Sequence, residues 1–108
     1  MRSLKDLLAA LRAVGLPYTQ IQWPQGKAPD LPYAVLVPDG TSNRFADGSP
    51  LCVPVGYTVE VYTRERDVQL EKRVQAELDD AGIGWQRYHT TDPDGPVVLA
   101  VYSMTLTE

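Results

Sequence analysis

Apolar side chains at Leu4, Leu7, Leu8, Leu11 and Val14 recur at spacings of three and four, which places them on one face of a helix over Leu4–Val14. Ser3 stands at the N-cap position, Gly15 at the left-handed C-cap, and Pro17 keeps the helix from resuming. Lys5, Asp6 and Arg12 occupy the opposite side, so this helix has one face to bury and needs a sheet to lie on. Tyr18 to Trp23 alternates imperfectly between Pro17 and Pro24 and predicts a short strand at or near a sheet edge. Residues 24–32 hold three prolines and no apolar period, a stiff connection. Tyr33 to Val37 then predicts a short buried strand ended by Pro38, Asp39 and Gly40.

Residues 39–50 are rich in Gly, Ser, Asn, Asp and Pro but carry one large apolar side chain, Phe45, between Arg44 and the turn pair Asp47-Gly48. From Leu51 to Tyr62 the alternation is long: Leu51, Val53, Val55, Tyr57, Val59 and Val61 fall on one side. Pro54 and Gly56 interrupt it, so only Tyr57 to Thr63 is predicted to be fully paired. Asp67 caps a second helix over Val68–Ala81, with Leu70, Val74, Leu78 and Ala81 facing inward and Glu71, Lys72, Arg73, Glu77 and Asp79 facing water; Gly82 closes it. Trp85–Thr90, a turn at Asp92-Pro93-Asp94-Gly95, and Val97–Leu106 predict a closing hairpin.

The element order is therefore αβββαββ in a single domain spanning residues 1–108: an α+β fold with a mostly antiparallel sheet of four to five strands and two helices. The last strand is apolar on both sides, with Val97, Leu99 and Val101 on one and Val98, Ala100, Tyr102, Met104 and Leu106 on the other. Either the helices lie on opposite faces or a neighbouring subunit covers one of them.

Composition narrows the function. Ten basic against fourteen acidic residues give a net charge of −4, the wrong sign for neutralising phosphates, and no sequence-specific nucleic-acid partner is expected. The aromatic residues Tyr57, Tyr62, Trp85, Tyr88 and Tyr102 lack an accompanying basic groove and read as core rather than as a base-stacking platform. The polar start and the short apolar runs predict a chain without signal peptide or membrane span, made in the cytoplasm. Cys52 is the sole cysteine and His89 the sole histidine, too few for a zinc site or a supported nucleophile–base pair. Asp92 and Asp94 read as turn residues, and Asp79 with Asp80, like Glu65 with Asp67, as residues of helix ends. Gly26-Lys27 lacks the glycine and hydroxyl residue of a phosphate loop. No catalytic, cofactor-binding or metal-binding residue is predicted, and the chain reads as a non-enzyme.

Several short segments, in their order, resemble a known family. They are the helix Leu4-Lys5-Asp6-Leu7-Leu8-Ala9-Ala10-Leu11, Gly15-Leu16-Pro17-Tyr18, Trp23-Pro24-Gln25-Gly26-Lys27-Ala28-Pro29, Leu31-Pro32-Tyr33, Phe45-Ala46-Asp47-Gly48, Val59-Glu60-Val61-Tyr62-Thr63, Leu70-Glu71 and Asp80-Ala81-Gly82-Ile83. Together they look like the tail-completion proteins of long-tailed bacteriophages and prophages, also called tail terminators or head–tail joining proteins. The resemblance implies a virion protein of the neck region that forms a homo-oligomeric ring, a hexamer, at the end of the tail tube. Its implied partners are the major tail tube protein and the head connector or neck proteins, with no cofactor and no membrane. In such a ring Arg44, Phe45 and Asp47 are candidate subunit-interface residues, because a repeated head-to-tail contact needs a projecting element. A neighbouring neck adaptor, or a cytoplasmic module that holds a peptide on its sheet edge, is the alternative.

Overall fold

In the computed structural model, residues 2–41, 45–46, 49–50, 54–92 and 95–107 are described. Two helices, α1 (Leu4–Val14) and α2 (Val68–Asp80), accompany a five-stranded sheet. The strands of that sheet are β1 (Tyr18–Gln20), β2 (Tyr33–Thr41), β5 (Pro54–Thr63), β6 (Gln86–Thr91) and β7 (Val98–Thr107), in the spatial order β1-β2-β5-β7-β6. A separate ribbon joins β3 (Phe45–Ala46) to β4 (Ser49–Pro50). The fold is α+β and the sheet is antiparallel except at β1, which runs parallel to β2. Residues 21–32 supply the connection of about a dozen residues that a parallel pair requires.

The helix signals translate directly into geometry. Gly15 takes φ 86°, and its N–H reaches the carbonyls of Leu11 and Arg12. At the other end of α1, the Asp6 carboxylate accepts from the Ser3 N–H at 2.9 Å and the Ser3 hydroxyl at 3.2 Å. The Ser3 backbone bond is the main reason the Asp6 carboxyl sits below its ordinary range. Asp67 caps α2 by accepting from the Leu70 N–H at 3.0 Å. At its C-terminus the Gly82 N–H bonds Asp79 and the Ile83 N–H bonds Leu78.

Three strands depart from the pattern-based boundaries. β1 stops at Gln20 instead of reaching Trp23, because the chain turns sharply at Ile21. β2 does not end at Pro38: Pro38 stays in register with Tyr57, a bulge at Asp39 shifts the register, and pairing resumes from Gly40 to Thr41. β5 is paired along its whole length from Pro54, not only from Tyr57. Pro54 opens the strand opposite Thr107, past the last β2 partner, where its missing N–H removes no bond to β2.

Both helices pack on the same face of the sheet. Leu7, Leu11 and Val14 of α1 and Leu70, Val74 and Leu78 of α2 join one core with Ala34, Leu36, Val55, Tyr57, Val59, Val61, Ala100, Tyr102, Met104 and Leu106. The alternative with helices on opposite faces is thus excluded. The second face is covered largely by its own side chains. Register places Tyr33, Tyr62, Leu99 and Thr90 in one cross-strand row and Val35, Glu60, Val101 and Tyr88 in the next. Tyr33 stacks on Tyr62 at 5.0 Å between centroids, and Trp23 meets Tyr33 edge-on at 5.7 Å, so Val35, Leu99 and Val101 are buried without a second helix layer. Tyr62 also donates to Glu60 at 3.2 Å. Burial first, and the adjacent Glu60 carboxylate second, push its phenol up to about 12.

That value has a spectroscopic consequence. In an alkaline titration followed at the phenolate band, at least one of the six tyrosines should resist ionisation until about pH 12. Because the folded-state value lies above the ordinary one of roughly 10, this group's contribution to stability is complete below pH 10 and lost between about 10 and 12. A Tyr62→Phe variant should lose one phenolate from the late part of the titration. Complete ionisation of the folded wild-type chain by pH 11 would contradict the packing of this face.

Candidate functional site: two free edges of one sheet

β6 forms one border of the sheet. It pairs only with β7, all six of its residues are exposed, and no strand among the described residues joins its outer side. An open row of backbone donors and acceptors is a template for another strand. Two of the usual safeguards are missing here, since Gln86–Thr91 contains no proline and no lysine, and its one arginine, Arg87, is turned to the helix-covered face. Alternation gives the edge two characters. Arg87 and His89 lie on the helix-covered face, in register with Tyr102 and Ala100, while Gln86, Tyr88 and Thr90 lie on the other. Tyr88 is 55% exposed.

The helix-side residues of β6 are held from above by α2. Glu71, only 4% exposed, accepts from Arg87 Nη1 at 3.1 Å and from Arg66 Nε at 3.4 Å, and it shares a hydrogen bond with His89 Nε2 at 3.0 Å. One carboxylate thus ties the border strand, through two consecutive inward positions, to the first turn of α2. Beside it Gln75 donates to the Tyr102 hydroxyl at 3.2 Å. Burial raises the Tyr102 phenol, with the Gln75 bond acting the other way. Trp85 packs edge-on against Tyr102 at 5.6 Å and donates to Asp79 at 2.9 Å, fixing the chain just before β6 begins.

Glu71 corrects the expectation that it faces water. The spacing 71, 74, 78 sets it in line with Val74 and Leu78, a signal obscured by reading every charged residue of the helix as solvated. His89 finds its partner in Glu71; Cys52 lies outside the described residues. Among the described residues no group of three or more His, Cys, Asp or Glu could hold a metal ion, and no helix is long and apolar enough to cross a membrane.

β1 forms the opposite border and is only three residues long. The residue that follows it, Ile21, takes φ 73°, the one positive φ outside glycine among the described residues. For a β-branched side chain this is a strained conformation, costing on the order of 1–3 kcal/mol. Three bonds enforce it: Ile21 N–H to the Leu36 carbonyl at 2.7 Å, Gln22 N–H to the Gln20 carbonyl at 2.9 Å, and the Thr19 hydroxyl to the Gln22 carbonyl at 3.2 Å. The result is a γ-turn that leaves Ile21 63% exposed.

Of the three residues expected at an interface, Phe45 belongs to β3, with its backbone opposite Pro50 in the ribbon. Arg44 and Asp47 lie outside the described residues. Compared with known proteins, the sequence matches no family model and has no significant curated relative.

Proposed function

We propose that this chain is a structural subunit of a long-tailed bacteriophage or prophage virion, one that works by assembly and not by catalysis. Copies form a ring at the head-proximal end of the tail tube, halt tube growth and present a surface to the head connector. The observation that carries the reading is a pair of unlike sheet borders that no further strand joins among the described residues: a six-residue exposed strand on one side, and on the other a short strand followed by an exposed apolar turn. A closed ring is built from such unlike surfaces meeting head to tail, whereas a two-fold dimer would use one surface twice. The ordered segment resemblance to tail-completion proteins supplies the tail context. Phe45 of β3, and Arg44 and Asp47 close to it in sequence, are the proposed contacts to the neighbouring subunit or the tube.

Native mass spectrometry of the 12.0 kDa chain, alone and mixed with the tail tube protein of the same virus, tests this. The expected species is a ring of six. A chain that stays monomeric in both conditions but captures an extended peptide on β6 would overturn the ring and support a peptide-binding module, the mode its open edge also allows.

A further inference from the structure

The described residues expose three large apolar side chains, Ile21, Val68 and Tyr88, and two of these sit at the two free borders of the sheet, one at each. We propose that Ile21 is the anchor of a head-to-tail contact between copies of this chain, seated on the β6 border of the next copy beside Tyr88. The proposal deepens the ring reading and rests on it.

The occupant is a second copy because each border supplies what the other lacks. β6 offers an open strand edge with an aromatic ring, Tyr88, that the described residues leave 55% exposed. The β1 border offers an apolar knob at the end of a strand too short to serve as a docking platform alone. Neither border is strongly acidic, so copies meet without like-charge repulsion: Tyr18–Gln22 carries no charge, and Gln86–Thr91 carries only Arg87 and His89, both already engaged by Glu71. The turn geometry adds a reason. A β-branched residue held at φ 73° by three hydrogen bonds, where glycine would fit without strain, destabilises the lone subunit while fixing the direction of the side chain. A stability cost kept at an exposed apolar position is intelligible when the side chain is buried by a partner. Aromatic and aliphatic anchors at the centre of a contact carry a large share of its affinity.

Two kinds of variant test the inference. Ile21→Gly should raise the melting temperature of the monomer by a few degrees by relieving strain, and should weaken ring formation at least tenfold in sedimentation velocity. In a Cys52→Ser background, Ile21→Cys chains mixed with Tyr88→Cys chains should form a disulfide between copies under mild oxidation, and Ile21→Cys chains alone should not. Both experiments are run on the chain alone and with tail tubes from the same virus. Wild-type rings together with unimpaired Ile21→Gly assembly and no mixed cross-link would overturn the contact and leave the ring standing. A wild-type chain that never assembles in either condition would remove the ring and the contact together.

Discussion

Replacing Tyr102 by alanine is expected to lower the free energy of unfolding by about 3–5 kcal/mol, a large part of what a domain of this size has. The ring is fully buried and stands where three elements meet. It lies on β7 between Val59 of β5 and Arg87 of β6, it receives the Gln75 hydrogen bond from α2, and it backs the Trp85 indole. Truncation opens a cavity beneath α2 and removes the aromatic contact of Trp85, which keeps its bond to Asp79. For a domain near 100 residues, each kcal/mol moves the melting temperature by roughly 4–8 °C, so thermal unfolding should fall by on the order of 15 °C or more. Tyr102→Phe keeps the ring and loses the hydroxyl with its Gln75 and Arg87 interactions, and should cost about 1 kcal/mol. Similar losses for the two variants would mean that the core does not converge on this side chain.

The second large effect concerns Glu71, and its signature is an asymmetry. The carboxylate is the desolvated member of the cluster, whereas Arg66 is half-exposed and Arg87 about a third exposed, so either cation can return to water. Arg87→Met therefore strips a buried charge of one of its cations and should cost about 2 kcal/mol, less than a wholly unpaired buried charge because Arg66 and His89 remain. Glu71→Leu removes the buried charge itself and should cost 1 kcal/mol or less, since apolar replacements of buried ions are often neutral. The double variant should be more stable than Arg87→Met alone, which a chemical-denaturation cycle measures directly. Hydrogen exchange on β6 adds a functional readout. Loosening the tie to α2 should accelerate exchange in Gln86–Thr91 more than in β5, because β6 has a strand neighbour on one side only. Equal stability losses in both single variants would contradict the assignment of Glu71 as the buried member.

How much of this was legible in the sequence depended on whether a feature is local. Ser3, Gly15 and Asp67 bounded the helices because caps are satisfied by bonds within a few residues of themselves. The long alternations of β5 and β7 were equally plain, since each side chain's face follows from its parity along the strand. The passage of β2 through Pro38 was not legible, because the bulge depends on where Gly56 lies on the neighbouring strand. Nor was the placement of both helices on one face. The apolar second side of β7 looked like a call for another layer, but Tyr33, Tyr62 and Trp23 arrive from separate parts of the chain to cover it.

The candidate site was less legible than the fold. Open borders follow from strand order, which no single segment encodes: β6 is a border only because β7 pairs between it and β5. Ile21 looked like an ordinary strand residue, and its positive φ arises from bonds to Leu36 and around Gln22 that local propensity for a β-branched residue opposes. Phe45 stands out in the sequence for the opposite reason, as a large apolar residue in a polar stretch.

The most direct test of the proposed assembly role is electron microscopy of phage tail tubes polymerised with and without this chain. The account predicts that tubes grown with the chain stop lengthening and carry a ring at one end, and that tubes grown without it continue. Tubes of unchanged length with bare ends, at chain concentrations well above that of the tube ends, would contradict it.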